Sequence, residues 1–557
     1  MVLRLYQLDK VPIELFGDEL DVGYQAYSIL KTGEDLYGQK MPIFFHSLSE
    51  YRVPLFIYST IPTVAIWGLN EWGVRLSAAF WGIISIIGVF LLVKYLFDEK
   101  KALVAALILS ISPWHVHYSR AAFEVTMLLA FLVFATLFFL KGLKNNFYLY
   151  LSVLLFALTP YIYSTATLFM PLWVLTLVIL NRRSLSLSKQ SFSVNKKNLS
   201  KNIGKKLIVL LIFIIILLPY GVNTVSGKAG ERFNAISIFS EKSLQDKILL
   251  AQQRDILPFG LQRFFYNKPL AYGQTFTMNY LRAFSPEFLF LNGDPNFRQS
   301  VHEMGLMYLY ELIPLFWGIF LLNKMASQQK KIILGWLLIA PIPAALTYDG
   351  GFHATRNFLM LFPLVTLVAF GLMDIFQKIK NKSILKFLPL MILLLGVFNF
   401  SLFSQRYFYM YPLESWRAWN FGFKQALQYV DQNQEQYSKI YLNNTYEPSL
   451  IRFLFWTKYD PAKFHQEFSS DKVIKNVTSG FDGFQLENKQ SFSSSKYYFG
   501  SFNAPMEQIL KKDELFMASS REDLTNPQIL TVGSIKLQKT IFSPNGEVIF
   551  YLVKGTK

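Results

Sequence analysis

The sequence predicts an α-helical polytopic membrane protein carrying a C-terminal soluble α/β domain. Three observations predict it. Of 557 residues, 52% are hydrophobic and 53 are Phe, at a mean hydropathy of +0.29. Apolar stretches long enough to cross a bilayer recur through the first 404 residues. After Ser404 the pattern turns to polar runs with helix and strand periodicities.

Apolar length gives spans near 72–96, 102–119, 122–141, 147–162, 165–181, 207–222, 304–323, 332–347, 356–376 and 386–404, about ten or eleven in all. The net charge of +18 gathers in short linkers, where membrane topology and not nucleic acid accounts for it. The linker 182–206 carries Arg182, Arg183, Lys189, Lys196, Lys197, Lys201, Lys205 and Lys206 without an acid, which sets it in the cytoplasm. Counting from it puts 1–71, 223–303, 348–355 and everything after 404 outside. Val53–Leu69, with Pro54, Tyr58, Pro62 and Trp67, reads as an interfacial or half-buried helix. With the N-terminal segment outside, Met1–Gly17 holds no span to carry it across, so the expectation is an earlier start or an unusual insertion. The division expected is 1–404, with outer loops 1–71 and 223–303, and an extracytoplasmic domain 405–557. In the latter, an amphipathic helix is expected over 419–430, a strand over 440–442, and a hairpin of 529–539 and 548–554 about Pro544-Asn545-Gly546.

The absence of cysteine excludes disulfides, thiolate ligands and a Cys nucleophile. No Walker loop, dinucleotide fingerprint, zinc-helix motif or nucleophile elbow is present, so nucleotide-driven transport has no support in this chain. The candidate chemistry lies in outer segments. Asp18-Glu19, with Asp21, reads either as the acidic first turn of a helix or as a general base at the bilayer edge. Ser112–Arg120 contains His115 and His117, proton carriers or interfacial anchors, and Arg120, a snorkelling cation or a phosphate clamp, with Glu124 a turn later. Tyr348–Arg356 pairs His353 with Arg356 about a helical turn apart, against the plain reading of a polar loop. The arginines of 223–303 read as a solvated or headgroup-facing surface. A divalent metal is possible, since Asp18, Glu50, His115 and His353 could be ligands, but they show no diagnostic spacing.

RLYQLDKVPIELFGDELDVGYQAYSILKTGEDLYG, then SEYRVPLFIYSTIP, WGVRLSAAFWG, SPWHVHYSRAAFE, FHATRNFLMLFPL, WNFGFKQALQYV and LFWTKYDP, resemble in order and spacing the GT-C membrane glycosyltransferases. The likeness is to the protein-mannosyltransferase and aminoarabinose-transferase group, glycosyltransferase family 39. It implies many membrane helices, interfacial helices in the first outer loop, and a polyprenyl-phosphate-linked sugar donor. It also implies inverting transfer to a protein, lipid or glycan hydroxyl at the outer face of the plasma membrane. By that resemblance Asp18 is the general base and Glu19 its neighbour, orienting it or the acceptor. Arg52 takes the place of the family's first-loop lysine although one of its paired prolines is absent, and Glu50 falls near the usual acid. Tyr24 and Tyr27 would shape the sugar pocket, Arg120 and Arg356 lie in family-like segments that would hold the donor phosphate, and His353, paired with Arg356, is a further substrate-binding candidate. The competing readings are a lipid or glycan transporter, which calls for ionisable residues at mid-membrane depth, and a membrane-anchored glycan-binding protein, for which the domain after Ser404 would suffice.

Overall fold

The computed structural model describes residues 1–47, 51–182, 196–225, 236–240, 242–379, 387–467, 481–487, 494–503, 505–521 and 533–557. The principal helices are α1 Gly17–Thr32, α2 Leu55–Trp67, α3 Glu71–Leu96, α4 Glu99–Ile111, α5 Pro113–Tyr118, α6 Val125–Gly142, α7 Asn146–Leu158, α8 Ala166–Leu180 and α9 Lys196–Val225. They continue with α10 Lys242–Arg254, α11 Phe259–Phe265, α12 Lys268–Arg282, α13 Leu312–Phe320, α14 Ser327–Ile339, α15 Leu361–Ile379, α16 Leu388–Gln405, α17 Phe423–Asn433 and α18 Ser449–Trp456. The strands are β1 Lys439–Asn443, β2 Phe481–Glu487, β3 Ser494–Phe502, β4 Glu514–Ser519, β5 Ile535–Phe542 and β6 Val548–Gly555. Packing divides the chain into one unit of Met1–Arg4, Glu50–Leu55 and Ala78–Arg406, and a second of Leu5–Ser49, Phe56–Ser77 and Tyr407–Lys557.

The first unit is helical and apolar. The expected spans fall on helix over most of their length, residue 386 lying outside the described residues, and among the described residues four helical stretches are long and apolar enough to cross a membrane: Glu71–Leu96, Val125–Gly142, Ala354–Lys378 and Pro389–Ser415. Shorter apolar helices cover Asn146–Tyr161, Ala166–Leu180 and Leu211–Val225, and Leu55–Trp67, which belongs to the second unit from Phe56 on. Three expected spans are corrected in their bounds. The segment 102–119 breaks after Ile111, because Pro113 supplies no N–H and pushes Ser112 into an extended conformation, from which the serine side chain caps α5. The segment 332–347 breaks after Ile339 and resumes as Ile342–Ala345, following Pro341. The segment 304–323 becomes helical only at Leu309. The core holds Trp173 and Trp336, rings 5.1 Å apart, with indole N–H groups donating to Thr136 Oγ1 and to the Leu359 carbonyl. Helices α13 and α15 approach backbone to backbone. A Cβ on Gly371 would lie 1.9 Å from the Pro314 carbonyl and one on Gly318 2.0 Å from that of Leu367, the small-residue packing that membrane helices use.

The second unit contains a six-stranded mixed sheet of order β2-β3-β1-β4-β6-β5. Strand β1 runs parallel to β3 and β4, and the remaining pairings are antiparallel. The expected strand at 440–442 is β1. The expected hairpin is β5–β6, turning at Gly546 with φ +86° and a bond from its N–H to the Ser543 carbonyl; residues 529–532 lie outside the described residues. The expected helix at 419–430 starts four residues later, because Gly422 takes φ +107° and ends the preceding turn. Helix α18 is buried along its whole length. Phe453 meets Tyr497 and Phe499 of β3 on one side, and Phe455 lies against Gly23 of α1 on the other.

Candidate active site

Helix α1 opens with the acidic pair, and the two carboxylates have different fates. Glu19 is wholly buried and receives Arg75 in a two-pronged ion pair, Nε to Oε1 at 3.0 Å and Nη2 to Oε2 at 3.1 Å. Arg75 spends its other donors on the carbonyls of Leu8, Pro12 and Glu14 at 2.8 to 3.0 Å. All five N–H groups of a fully buried guanidinium are therefore satisfied. Asp18, one residue earlier and about 100° round the helix, is half-buried. Glu19 thus fixes the start of α1, a structural task. Tyr24, expected on a sugar pocket, is fully buried, and its hydroxyl donates to the Tyr459 carbonyl at 2.9 Å. Tyr27 is half-buried, with the Lys31 ammonium 5.7 Å from its ring centre.

Two residues of this unit escaped the sequence reading. Arg75 sits inside the apolar run WGVRLSAAFWG, and a lone cation there signals a buried acidic partner. Glu14 is the second. Its buried carboxylate accepts the N–H groups of Gly422 and Lys424, both at 2.8 Å, at the first turn of α17, while Lys424 pairs with Glu71. Burial raises the Glu14 carboxyl to about 8, against the two hydrogen bonds that favour its charged form.

In the first unit, Arg52 is buried in the short strand Tyr51–Arg52, and Glu50 lies outside the described residues. Arg120 is fully buried and donates to the Leu3 carbonyl at 2.8 Å. The segment Ser112–Arg120, read as an outer turn, is a buried helix with an organised polar interior. Arg4 donates to the Ser110 carbonyl and, at 2.7 Å, to His115 Nδ1. A guanidinium only donates, so His115 accepts at Nδ1 and its Nε2 hydrogen points to Ser85 Oγ, 2.8 Å away. His115 is therefore a neutral structural imidazole and not an available ligand. His117 Nε2 likewise donates to the Arg298 carbonyl at 2.9 Å.

The loop Tyr348–Arg356 borders a cavity of about 390 Å³ whose lining includes Arg282, Asp294, Gln299, Asp349, Phe352 and His353. His353 and Arg356 converge on one acid: Arg356 bonds Asp349 and Thr347 Oγ1, and His353 Nε2 lies 4.0 Å from Asp349 Oδ2. Asp294 holds the loop by accepting the N–H groups of Ala354 and Asn296, each at 2.8 Å, and its burial raises its carboxyl to about 6. Arg282 stands 5.5 Å from the Phe352 ring. Cation, amide, carboxylate and aromatic face together suit a polar, hydroxyl-rich or anionic ligand. Among the described residues no three acidic or imidazole side chains gather as a metal site.

The class so defined is a multi-pass helical membrane protein with a soluble α/β domain. Residues 52–219 match the family model described as dolichyl-phosphate-mannose-protein mannosyltransferase, and the resemblance to GT-C glycosyltransferases drawn from the sequence is borne out over that stretch. Solved structures similar to this chain include the Archaeoglobus fulgidus oligosaccharyltransferase tethered to an acceptor peptide, at 13% identity and TM-score 0.48, covering 99% of this chain and 72% of that one. ArnT from Cupriavidus metallidurans bound to undecaprenyl phosphate aligns at 11% identity and TM-score 0.44, covering 99% and 96%. The archaeal oligosaccharyltransferase AglB from Archaeoglobus fulgidus, in complex with an inhibitory peptide and a dolichol-phosphate, aligns at 13% identity and TM-score 0.42 over 82% of this chain, which spans 62% of its length. No curated protein matches the chain in sequence.

The geometry makes two predictions. Arg75→Met strands the Glu19 carboxylate and is expected to cost about 3–5 kcal/mol, part of it recovered in Arg75→Met/Glu19→Leu, as read by denaturation of the detergent-purified protein. Because the folded-state pKa of Glu14 lies above its unfolded value, its contribution is fully present below about pH 4.5 and is lost as pH rises through about 8. Melting temperatures from pH 5 to 8 should therefore decline less steeply in Glu14→Gln than in the wild type; equal slopes would contradict the assignment.

Proposed function

We propose that the protein is an inverting glycosyltransferase that moves a sugar from a polyprenyl-phosphate donor to a hydroxyl acceptor at the outer face of the plasma membrane. The observation that carries the reading is the division of roles within the acidic pair. Glu19 is buried in its ion pair with Arg75, and Asp18, half-buried one residue earlier, sits at the start of the helix whose position that pair fixes. Such a carboxylate suits a general base, which needs a fixed location and partial shelter from water. Support for the donor class comes from the family match over residues 52–219.

In the proposed reaction, Asp18 removes the acceptor hydroxyl's proton as that oxygen attacks the anomeric carbon. The bond from that carbon to the phosphate oxygen breaks and polyprenyl phosphate leaves, its negative charge stabilised by arginine donors. Arg52, Arg120 and Arg356 are the candidates for that task, and His353 belongs with the cavity beside the Tyr348–Arg356 loop. Residues 405–557 are assigned to the extracytoplasmic side, following the charge asymmetry of the linkers. The acceptor is a protein, lipid or glycan hydroxyl, and no step is assigned to a metal.

Asp18→Asn preserves shape and removes the base. In detergent-purified protein supplied with polyprenyl-phosphate sugars, it is expected to lower kcat by roughly 10²–10⁴ at unchanged melting temperature. Transfer at the wild-type rate would refute the role of Asp18.

A further inference from the structure

Residues 242–270 form a helical corner whose polar side chains serve its own construction and whose apolar ones face outward. Gln252 of α10 donates to the Tyr266 carbonyl at 2.6 Å, and Gln262 of α11 donates to the carbonyls of Asp255 and Leu257 at 2.8 and 2.7 Å. Asp255 Oδ1 accepts the Leu257 N–H at 2.9 Å. These bonds fold α11 back against α10 without burying an apolar core between them. Ile256 is 99% exposed, Phe264 69%, Phe265 55% and Leu261 50%. On α11, Leu261, Phe264 and Phe265 stand at i, i+3 and i+4, so they share one face. Leu249 and Leu250 at the end of α10 and Leu270 at the start of α12 are exposed too. Around them stand Lys247, Arg254, Arg263 and Lys268, against only Asp246 and Asp255 among the acids of the stretch.

A corner of this composition is poorly suited to bulk water, which gains nothing from so large a contiguous apolar face. Its attachment narrows the partner. The segment preceding it is tied to the end of the α14 region, Ile238 N–H to the Leu346 carbonyl and Tyr348 N–H to the Ile236 carbonyl. The helix following it, α12, hydrogen-bonds from Tyr280 to the Leu338 carbonyl. The corner is thus fastened to Leu338 within the apolar stretch 332–347 and to Leu346 and Tyr348 at its end.

We propose that residues 249–270 are a membrane-interface anchor, with Ile256, Leu261, Phe264 and Phe265 set among the acyl chains of the outer leaflet and the flanking Lys and Arg on anionic lipid headgroups. The chemistry matches an interfacial helix, aromatic and aliphatic on one face and cationic at its borders. This anchor is independent of the catalytic reading. It fixes the depth of the outer loop that carries Arg282 and Asp294 of the neighbouring cavity.

The chain has no cysteine, so single-site labelling needs no background removal. Phe264→Cys and, as a polar reference, Gln253→Cys are spin-labelled in the full-length protein and reconstituted in vesicles of phosphatidylcholine alone or with a quarter phosphatidylglycerol. Collision rates with oxygen and with a water-soluble nickel chelate are then measured. The proposal expects the label at 264 to be oxygen-accessible and chelate-protected by at least about tenfold relative to 253, with greater protection in the anionic vesicles. Equal chelate access at both sites would place the corner in water and overturn it. A label at 264 shielded from both reagents would mean that protein covers this face, and would overturn it equally. Protection that is the same in both lipid mixtures would remove the headgroup part of the proposal.

Discussion

The buried guanidinium of Arg75 is the constraint on which the N-terminal segment depends. An isolated cation in that environment is untenable, so the chain must bring it acceptors from elsewhere. It does so from two places at once: the carboxylate of Glu19 and the carbonyls of Leu8, Pro12 and Glu14. Residues 8–19, which lack regular structure up to Gly17, are thereby gathered onto the first turns of α3. The pair is not needed for hydrophobic stability, since apolar replacements of such pairs are commonly tolerated. What it provides is a fixed geometry for the start of α1, where Asp18 sits. Glu14 extends the arrangement by holding the first turn of α17 through two backbone N–H groups.

Apolar length and linker charge made the helical body legible, because burying a span in lipid demands both. The interruptions were less legible. Pro113 and Pro341 lie within runs that remain apolar on both sides, so hydropathy passes over them while backbone sterics do not. In the soluble domain, alternation found β1 and the β5–β6 hairpin, but the start of α17 depended on Gly422 at positive φ, which periodicity does not register.

The candidate residues were legible in the sequence, but their surroundings were not. Asp18 and Glu19 are equivalent in sequence, and only the position of Arg75, 56 residues from Glu19, shows which of the two carboxylates it clamps. Tyr24 and Tyr27 look alike for the same reason, yet one is closed off by the Tyr459 carbonyl. His115 is decided by its partners: a neighbouring arginine that can only donate forces the tautomer and removes the imidazole from metal or proton chemistry. His353 and Arg356 were paired with each other by spacing, whereas both turn toward Asp349, whose own spacing from Arg356 suggested nothing.

The central claim is that the chain cleaves a lipid-linked sugar and does not carry it across the bilayer. It is tested most directly by supplying the purified protein in vesicles with polyprenyl-phosphate sugars bearing separate labels on sugar and lipid, together with hydroxyl acceptors. The account predicts release of free polyprenyl phosphate in a one-to-one ratio with sugar joined to acceptor, and neither product from Asp18→Asn. Movement of intact donor between leaflets, with no polyprenyl phosphate released and Asp18→Asn behaving as the wild type, would contradict it and identify a transporter.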